Sequence, residues 1–176
     1  AERDAELAKL MGPEQFEEYQ LRNSSTARNM RENLTAFQPN EAEFRQIFDL
    51  KKSFDDQFAF NRDGSDESVR DQRTAAQQQL DDSLKATLGE DRYQQYVISQ
   101  DSRYRESSDF AQRYNLPQQT ANTIYQVQLV AEQEKNRIRN DQTLDANARS
   151  AALQALSQDT QSALQPALGE NWANYQ

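Results

Sequence analysis

The 176-residue chain contains no cysteine and no histidine. The first absence removes disulfides, thiolate metal ligands and cysteine nucleophiles; the second removes imidazole ligands, histidine-based triads and histidine acid–base chemistry. Di-iron carboxylate bundles are excluded too, because they need a Glu with a His three residues on. Glycine is scarce, with four residues in all, and no phosphate-cradling loop, nucleophile elbow or dinucleotide fingerprint is present. No apolar run approaches the ~18 residues that a bilayer-spanning helix requires. Positive charge is also in deficit: 20 Lys and Arg against 29 Asp and Glu give a formal charge of −9. A nucleic-acid binder needs a basic footprint that displaces counterions from phosphates. The basic clusters, Arg103/Arg105 and Lys135/Arg137/Arg139, are interspersed with acids, so neither nucleic acid nor an anionic membrane surface is an expected partner.

Against these absences stands an internal repeat. Leu10-Met11-Gly12-Pro13-Glu14-Gln15-Phe16-Glu17-Glu18-Tyr19 recurs as Thr87-Leu88-Gly89-Glu90-Asp91-Arg92-Tyr93-Gln94-Gln95-Tyr96 and as Ala167-Leu168-Gly169-Glu170-Asn171-Trp172-Ala173-Asn174-Tyr175. The glycines are 89 minus 12, or 77, and 169 minus 89, or 80, residues apart. Each copy reads as a helix end followed at once by a helix start. Glycine takes the left-handed backbone that closes a helix, Pro13 suits a first helical position, and Glu14, Glu90 and Glu170 favour the positive end of the next helix. The pairs Phe16/Tyr19, Tyr93/Tyr96 and Trp172/Tyr175 fall three apart on one helical face, where they pack into the elbow.

The chain is polar, with 35% hydrophobic residues and a mean hydropathy of −1.09. Disorder has to be weighed against that composition. Helical periodicity, capping signals and aromatics at matching repeat positions favour narrow apolar stripes on well-solvated helices. One helix is expected from about Pro13 towards Phe37, with Asn23-Ser24-Ser25 as its weak point, and its counterpart from Glu90 towards Tyr114. Gln38-Pro39-Asn40 and Asn115-Leu116-Pro117 break these helices. Asn40 with Glu43 reads as a capping arrangement for the next one. That helix carries Phe44, Ile47, Phe48, Leu50, Phe54 and Phe58, set against Ala121, Ile124, Tyr125, Val127, Ala131 and Ile138. Turns follow at Asn61-Arg62-Asp63-Gly64-Ser65-Asp66 and Asn140-Asp141-Gln142-Thr143-Leu144-Asp145. The third helices carry Leu80, Leu84 and Leu88, then Leu156, Leu164 and Leu168, with Pro166 expected to kink the last turn.

The expected fold is therefore all-α, with two tandem three-helix units of about 77 to 80 residues in an elongated bundle. Residues 1–11 end a preceding helix, 12–88 and 89–168 form the units, and 169–176 begin a further helix. The Asp63-Gly64-Ser65-Asp66-Glu67 loop fails as an EF-hand, because its glycine would place Ala59 where a carboxylate is required. Adjacent carboxylates such as Asp55/Asp56 and Asp81/Asp82 do not face one another on a helix. Two glycosylation sequons, Asn23-Ser24-Ser25 and Asn33-Leu34-Thr35, fall within predicted helix. No catalytic, cofactor-binding or metal-binding residue is assigned.

Met11-Gly12-Pro13-Glu14-Gln15-Phe16 resembles the Leu-Thr-Pro-x-Gln motif of Spy and CpxP-like periplasmic stress proteins, with Gly12 in place of Thr. The copies at Gly89 and Gly169 lack its Pro and Gln. The tandem also resembles a group of uncharacterised bacterial helical proteins with recurring Leu-Gly and Tyr segments. The first resemblance implies an all-helical, often dimeric, ATP-independent chaperone or envelope-stress regulator. The resulting expectation is a non-catalytic, chaperone-like binding protein of an extracytoplasmic compartment, periplasmic or secreted, with a protein partner or unfolded polypeptide as its ligand. Self-association through the repeat ends is the alternative, an all-helical hydrolase a weaker one. No signal sequence lies in the chain, whose start at Ala1 fits processing or trimming.

Overall fold

The computed structural model describes residues 2–58 and 67–175, so the expected turn at 61–66 and the loop weighed against calcium lie outside the described residues. All regular structure among the described residues is helical. In chain order it comprises α1 (Glu2–Leu10), α2 (Pro13–Asn23), α3 (Ser25–Asn33), α4 (Glu41–Phe58), α5 (Glu67–Leu88), α6 (Glu90–Ser99), α7 (Ser102–Arg113), α8 (Gln118–Asn140) and α9 (Ala146–Leu168). A 3₁₀ turn, Gly169–Asn171, leads into the short α10, Trp172–Tyr175. α9 continues through Pro166 to Leu168.

The single long first helix expected in each repeat is two helices. Ser24 separates α2 from α3 in extended backbone, and its hydroxyl accepts from the Ala27 N–H at 3.1 Å. Asp101 does the same before α7, accepting from the Arg103 N–H at 2.9 Å. Position 101 minus position 24 is again 77. A short polar side chain at each break satisfies an N–H that the broken helix leaves open. Among the described residues each repeat thus carries four helices where three were expected.

Before α4, Asn40 and Glu43 form a reciprocal cap. The Glu43 N–H donates to Asn40 Oδ1 and the Asn40 N–H to Glu43 Oε2, both at 2.9 Å. Asp145 caps α9 through the Ala148 N–H at 2.8 Å.

Two of the three motif glycines hold positive φ, Gly89 at 77° and Gly169 at 52°. Their ψ values of 163° and −125° place them in extended, mirror-image backbone instead of the left-handed helical region. Gly12 departs from the expectation altogether, with φ −64° and ψ 161°. The reason is Pro13, whose ring steers the preceding residue towards extended backbone. In all three copies the aromatic pair keeps one geometry: centroids lie 6.3, 6.2 and 6.1 Å apart, with interplanar angles of 19°, 23° and 32°.

The chain divides into two compact units, 1–100 and 101–176. The division falls after α6, not at Gly89, because α6 packs on the helices before it. Tyr96 is buried with Leu21, Met30, Leu34, Phe37, Ile47, Phe48, Leu80 and Leu84. Its ring meets Phe37 edge to face at 5.6 Å, an arrangement that adds about 0.5–1.5 kcal/mol beyond the area buried. Arg92 then ties α6 to α4, donating from Nε and Nη2 to Glu43 at 2.7 and 2.8 Å and to the Gln38 carbonyl at 3.0 Å. Its guanidinium lies 3.9 Å from the Phe37 ring centroid.

In the second unit, Ile124, Leu164 and Leu168 are buried, with Phe110, Leu116, Val127, Trp172 and Tyr175 packed around them. Here too the motif aromatics cover the core made by the helices that precede them. Tyr104 and Tyr125 meet edge to face at 5.4 Å, and the Tyr125 hydroxyl donates to Asp101 at 3.1 Å.

Candidate binding groove of the second unit

Both repeats run through the same order of helices, so residues at equal repeat positions can be compared. α4 and α8 are unbroken from Phe44 and Ala121 onward, and an unbroken α-helix admits no insertion, so the offset of 77 holds along them. Phe54 therefore corresponds to Ala131, Asp55 to Glu132, and Phe58 to Lys135. The expected pairing of Phe58 with Ile138 does not hold, although Ile138 is buried in its own right. Counting back from Gly89 and Gly169 along α5 and α9 gives an offset of 80, which sets Leu80 against Thr160 and Arg73 against Leu153.

In the first unit the space between α3, α4 and α5 is narrowed by aromatic side chains. Phe54 and Phe58 pack with ring centroids 5.1 Å apart, and Arg73 lies over the Phe58 ring at 6.0 Å. The Thr26 hydroxyl donates to Asp55, bridging α3 and α4. Recesses of about 270 and 460 Å³ lie beside Phe54 and Asp55, and another of about 710 Å³ runs along α5 beside Arg73 and Gln77.

The same frame in the second unit is open. A groove of about 1040 Å³ runs between α7, α8 and α9, with Trp172 and Tyr175 at one end. Both aromatic fillers are missing, since Ala131 and Lys135 stand where Phe54 and Phe58 do. The bridge is missing as well. At the positions of Thr26 and Asp55 stand Arg103 and Glu132, and each is held elsewhere: Arg103 by Asp101 at 3.0 Å and Glu132 by Lys135 at 3.6 Å.

Half-buried Leu153 and Leu156 and buried Leu164 supply the apolar part of the lining. Tyr175 forms a polar point within it. Burial raises its phenol pKa above the ordinary value, and its oxygen accepts from Gln128 Nε2 at 2.8 Å. Gln128 and Lys51 are equivalent positions, 128 minus 51 being 77. Lys51 faces the ring of Tyr96 at 5.9 Å, so both units use this position to hold the closing tyrosine.

The groove is an open surface feature whose wall mixes apolar and polar groups, the mixture that recognition sites use. Its cations Arg103 and Lys135 are each paired with a neighbouring acid. Asp101 is held below the usual carboxylate range, chiefly by its hydrogen bond from Arg103, and that bond raises Arg103.

The other residues noted in the sequence are dispersed. Asp55 is engaged by Thr26 while its neighbour Asp56 pairs with Lys52. Arg137 pairs with Glu134 and lowers its pKa. Among the described residues no group of three or more His, Cys, Asp or Glu is placed to hold a metal ion, and no helix is long and apolar enough to cross a membrane. The groove itself was not singled out in the sequence. Its signal was the exchange of Phe54 and Phe58 for Ala131 and Lys135 at constant offset. Comparisons with protein-family models, with curated proteins and with solved structures find no match.

Proposed function

We propose that this chain is a non-catalytic helical binding protein that holds segments of a protein partner or unfolded polypeptide in the groove of its second unit. One observation carries the reading: the positions around Phe54 and Phe58 enclose recesses of about 270 and 460 Å³, whereas the equivalent positions of the other copy border a groove of about 1040 Å³. A site that exists only to complete a core would be filled in both. The open copy instead leaves Leu153, Leu156 and Trp172 partly accessible beside polar groups, the mixture expected of a recognition surface. The pairing of Arg103 and Lys135 with neighbouring acids fits a neutral or apolar ligand better than a polyanion. A chaperone-like role in an extracytoplasmic compartment accords with the partial Leu-Thr-Pro-x-Gln resemblance at Met11 to Phe16.

The test is light scattering of an aggregating client protein at substoichiometric to equimolar ratios of the full chain. Suppression is the expected result. No suppression by a sample of full helical content overturns the chaperone-like reading.

A further inference from the structure

The proposal above leaves open what the groove recognises, and the first unit supplies an answer. We infer that the groove of the second unit takes a pair of aromatic side chains, four residues apart on a helical segment of the partner polypeptide. The inference rests on the reading of the chain as a polypeptide binder and adds the chemistry of its ligand.

In the first unit the corresponding space is occupied by Phe54 and Phe58, which lie four apart on α4 with ring centroids at 5.1 Å. Residues at that spacing share one face of a helix, so a partner helix can deliver the same two-ring unit. The second unit removes both rings while the leucine beneath them stays: Leu84 and Leu164, at equal positions on α5 and α9, are both buried.

The substitutions around the vacancy also suit aromatic rings. Arg73, which lies over Phe58 in the first unit, is replaced by Leu153, an apolar contact. Cations move to the other side of the groove, with Arg103 for Thr26 and Lys135 for Phe58. Both can lie against an incoming ring face, as Arg73 and Lys51 do against Phe58 and Tyr96. Trp172 and Tyr175 offer ring contacts at the end of the groove.

The test is a titration of the full chain with a fluorescently labelled, alanine-rich helical peptide carrying two phenylalanines four residues apart. Its control carries alanines at those positions. Trp172 is the sole tryptophan and lines the groove, so its emission is the second readout. The double variant Ala131→Phe with Lys135→Phe restores the fillers of the first unit. The expected result is that the diphenylalanine peptide binds and shifts Trp172 emission, and that the control peptide and the back-filled variant each bind at least about tenfold more weakly.

Affinity unchanged by back-filling overturns the inference, as does equal binding of the control peptide. If the variant does not fold, an unshifted Trp172 emission in the wild-type titration is sufficient to overturn it. Client aggregation is read separately: loss of suppression with intact, back-filling-sensitive peptide binding defeats the chaperone-like reading and supports the aromatic site.

Discussion

Gln38 and Asn115 hold the same left-handed backbone, at φ 52° and 53°, and lie 77 residues apart, since 115 minus 38 is 77. Each lies in the link between the second and third helices of its repeat. Neither is glycine, so a backbone conformation that most residues avoid is retained twice at one repeat position. In the first unit the turn has a further role, because the Gln38 carbonyl accepts from Arg92 of α6.

Asn115→Val is expected to destabilise the protein by about 1–2 kcal/mol, because a β-branched side chain tolerates positive φ poorly. Asn115→Gly should stay within about 0.5 kcal/mol, its relief of strain offset by greater freedom of the unfolded chain. Urea unfolding of the two variants measures the difference, and equal stabilities would contradict the assigned turn.

The motif glycines make opposite predictions. Beyond the adjoining residues, no heavy atom lies within 4 Å of the place a Cβ would take at Gly12, Gly89 or Gly169, so a Cβ meets no crowding and backbone strain dominates. Gly89→Val forces a side chain into backbone that is nearly glycine-only and should cost about 1–3 kcal/mol. Gly12→Ala, at φ −64°, should leave stability unchanged or raise it by about 0.4–1 kcal/mol through a less flexible unfolded chain. Thermal melts of both variants provide the test.

The clamp between Arg92 and Glu43 gives a pH dependence. The hydrogen bonds from Arg92, ahead of the Asn40 cap, lower the Glu43 pKa from its ordinary 4.5. A carboxylate lowered in the folded state adds stability above its unfolded pKa and loses it as pH falls through the lower folded value. Wild type should therefore lose more stability than Glu43→Gln on going from pH 6 to pH 3. Arg92→Ala should cost about 1.5–3 kcal/mol at neutral pH, with less of that cost at pH 3. Parallel stability curves for wild type and Glu43→Gln would count against the clamp.

Emptying the filled copy should convert it. Phe54→Ala removes a half-buried ring from the first unit, with an expected cost of about 2–4 kcal/mol. It also opens, beside Phe58 and Leu80, a space like that beside Ala131. A titration with the aromatic peptide should then show additional binding that wild type lacks. Unchanged binding by a folded Phe54→Ala protein would mean that the frame alone does not make a site.

Much of this architecture is legible in the residues. Ile47 and Ile124, Leu84 and Leu164, and Leu88 and Leu168 keep their repeat offsets, and helical spacing marks them as core because burying one face of a helix requires that period. Asn40 and Glu43 announce their cap because capping is local chemistry between residues three apart. The groove was not legible in the same way. It arises from two side chains that are absent, and an alanine and a lysine on a polar helix look like ordinary solvated surface until α7 and α9 are set around them.

The helical class, the repeat and its punctuation follow from the order of residues alone, because periodicity, capping and glycine or proline backbone preferences act within a few residues. Tertiary structure decided where the units divide: α6 joins the helices before it because Tyr96 is buried against Phe37 while Arg92 reaches Glu43, 49 residues away. It also decided that one copy of a shared frame is narrowed by aromatic rings and the other open. Packing between helices distant in sequence depends on which side chains meet, and no local rule specifies that meeting.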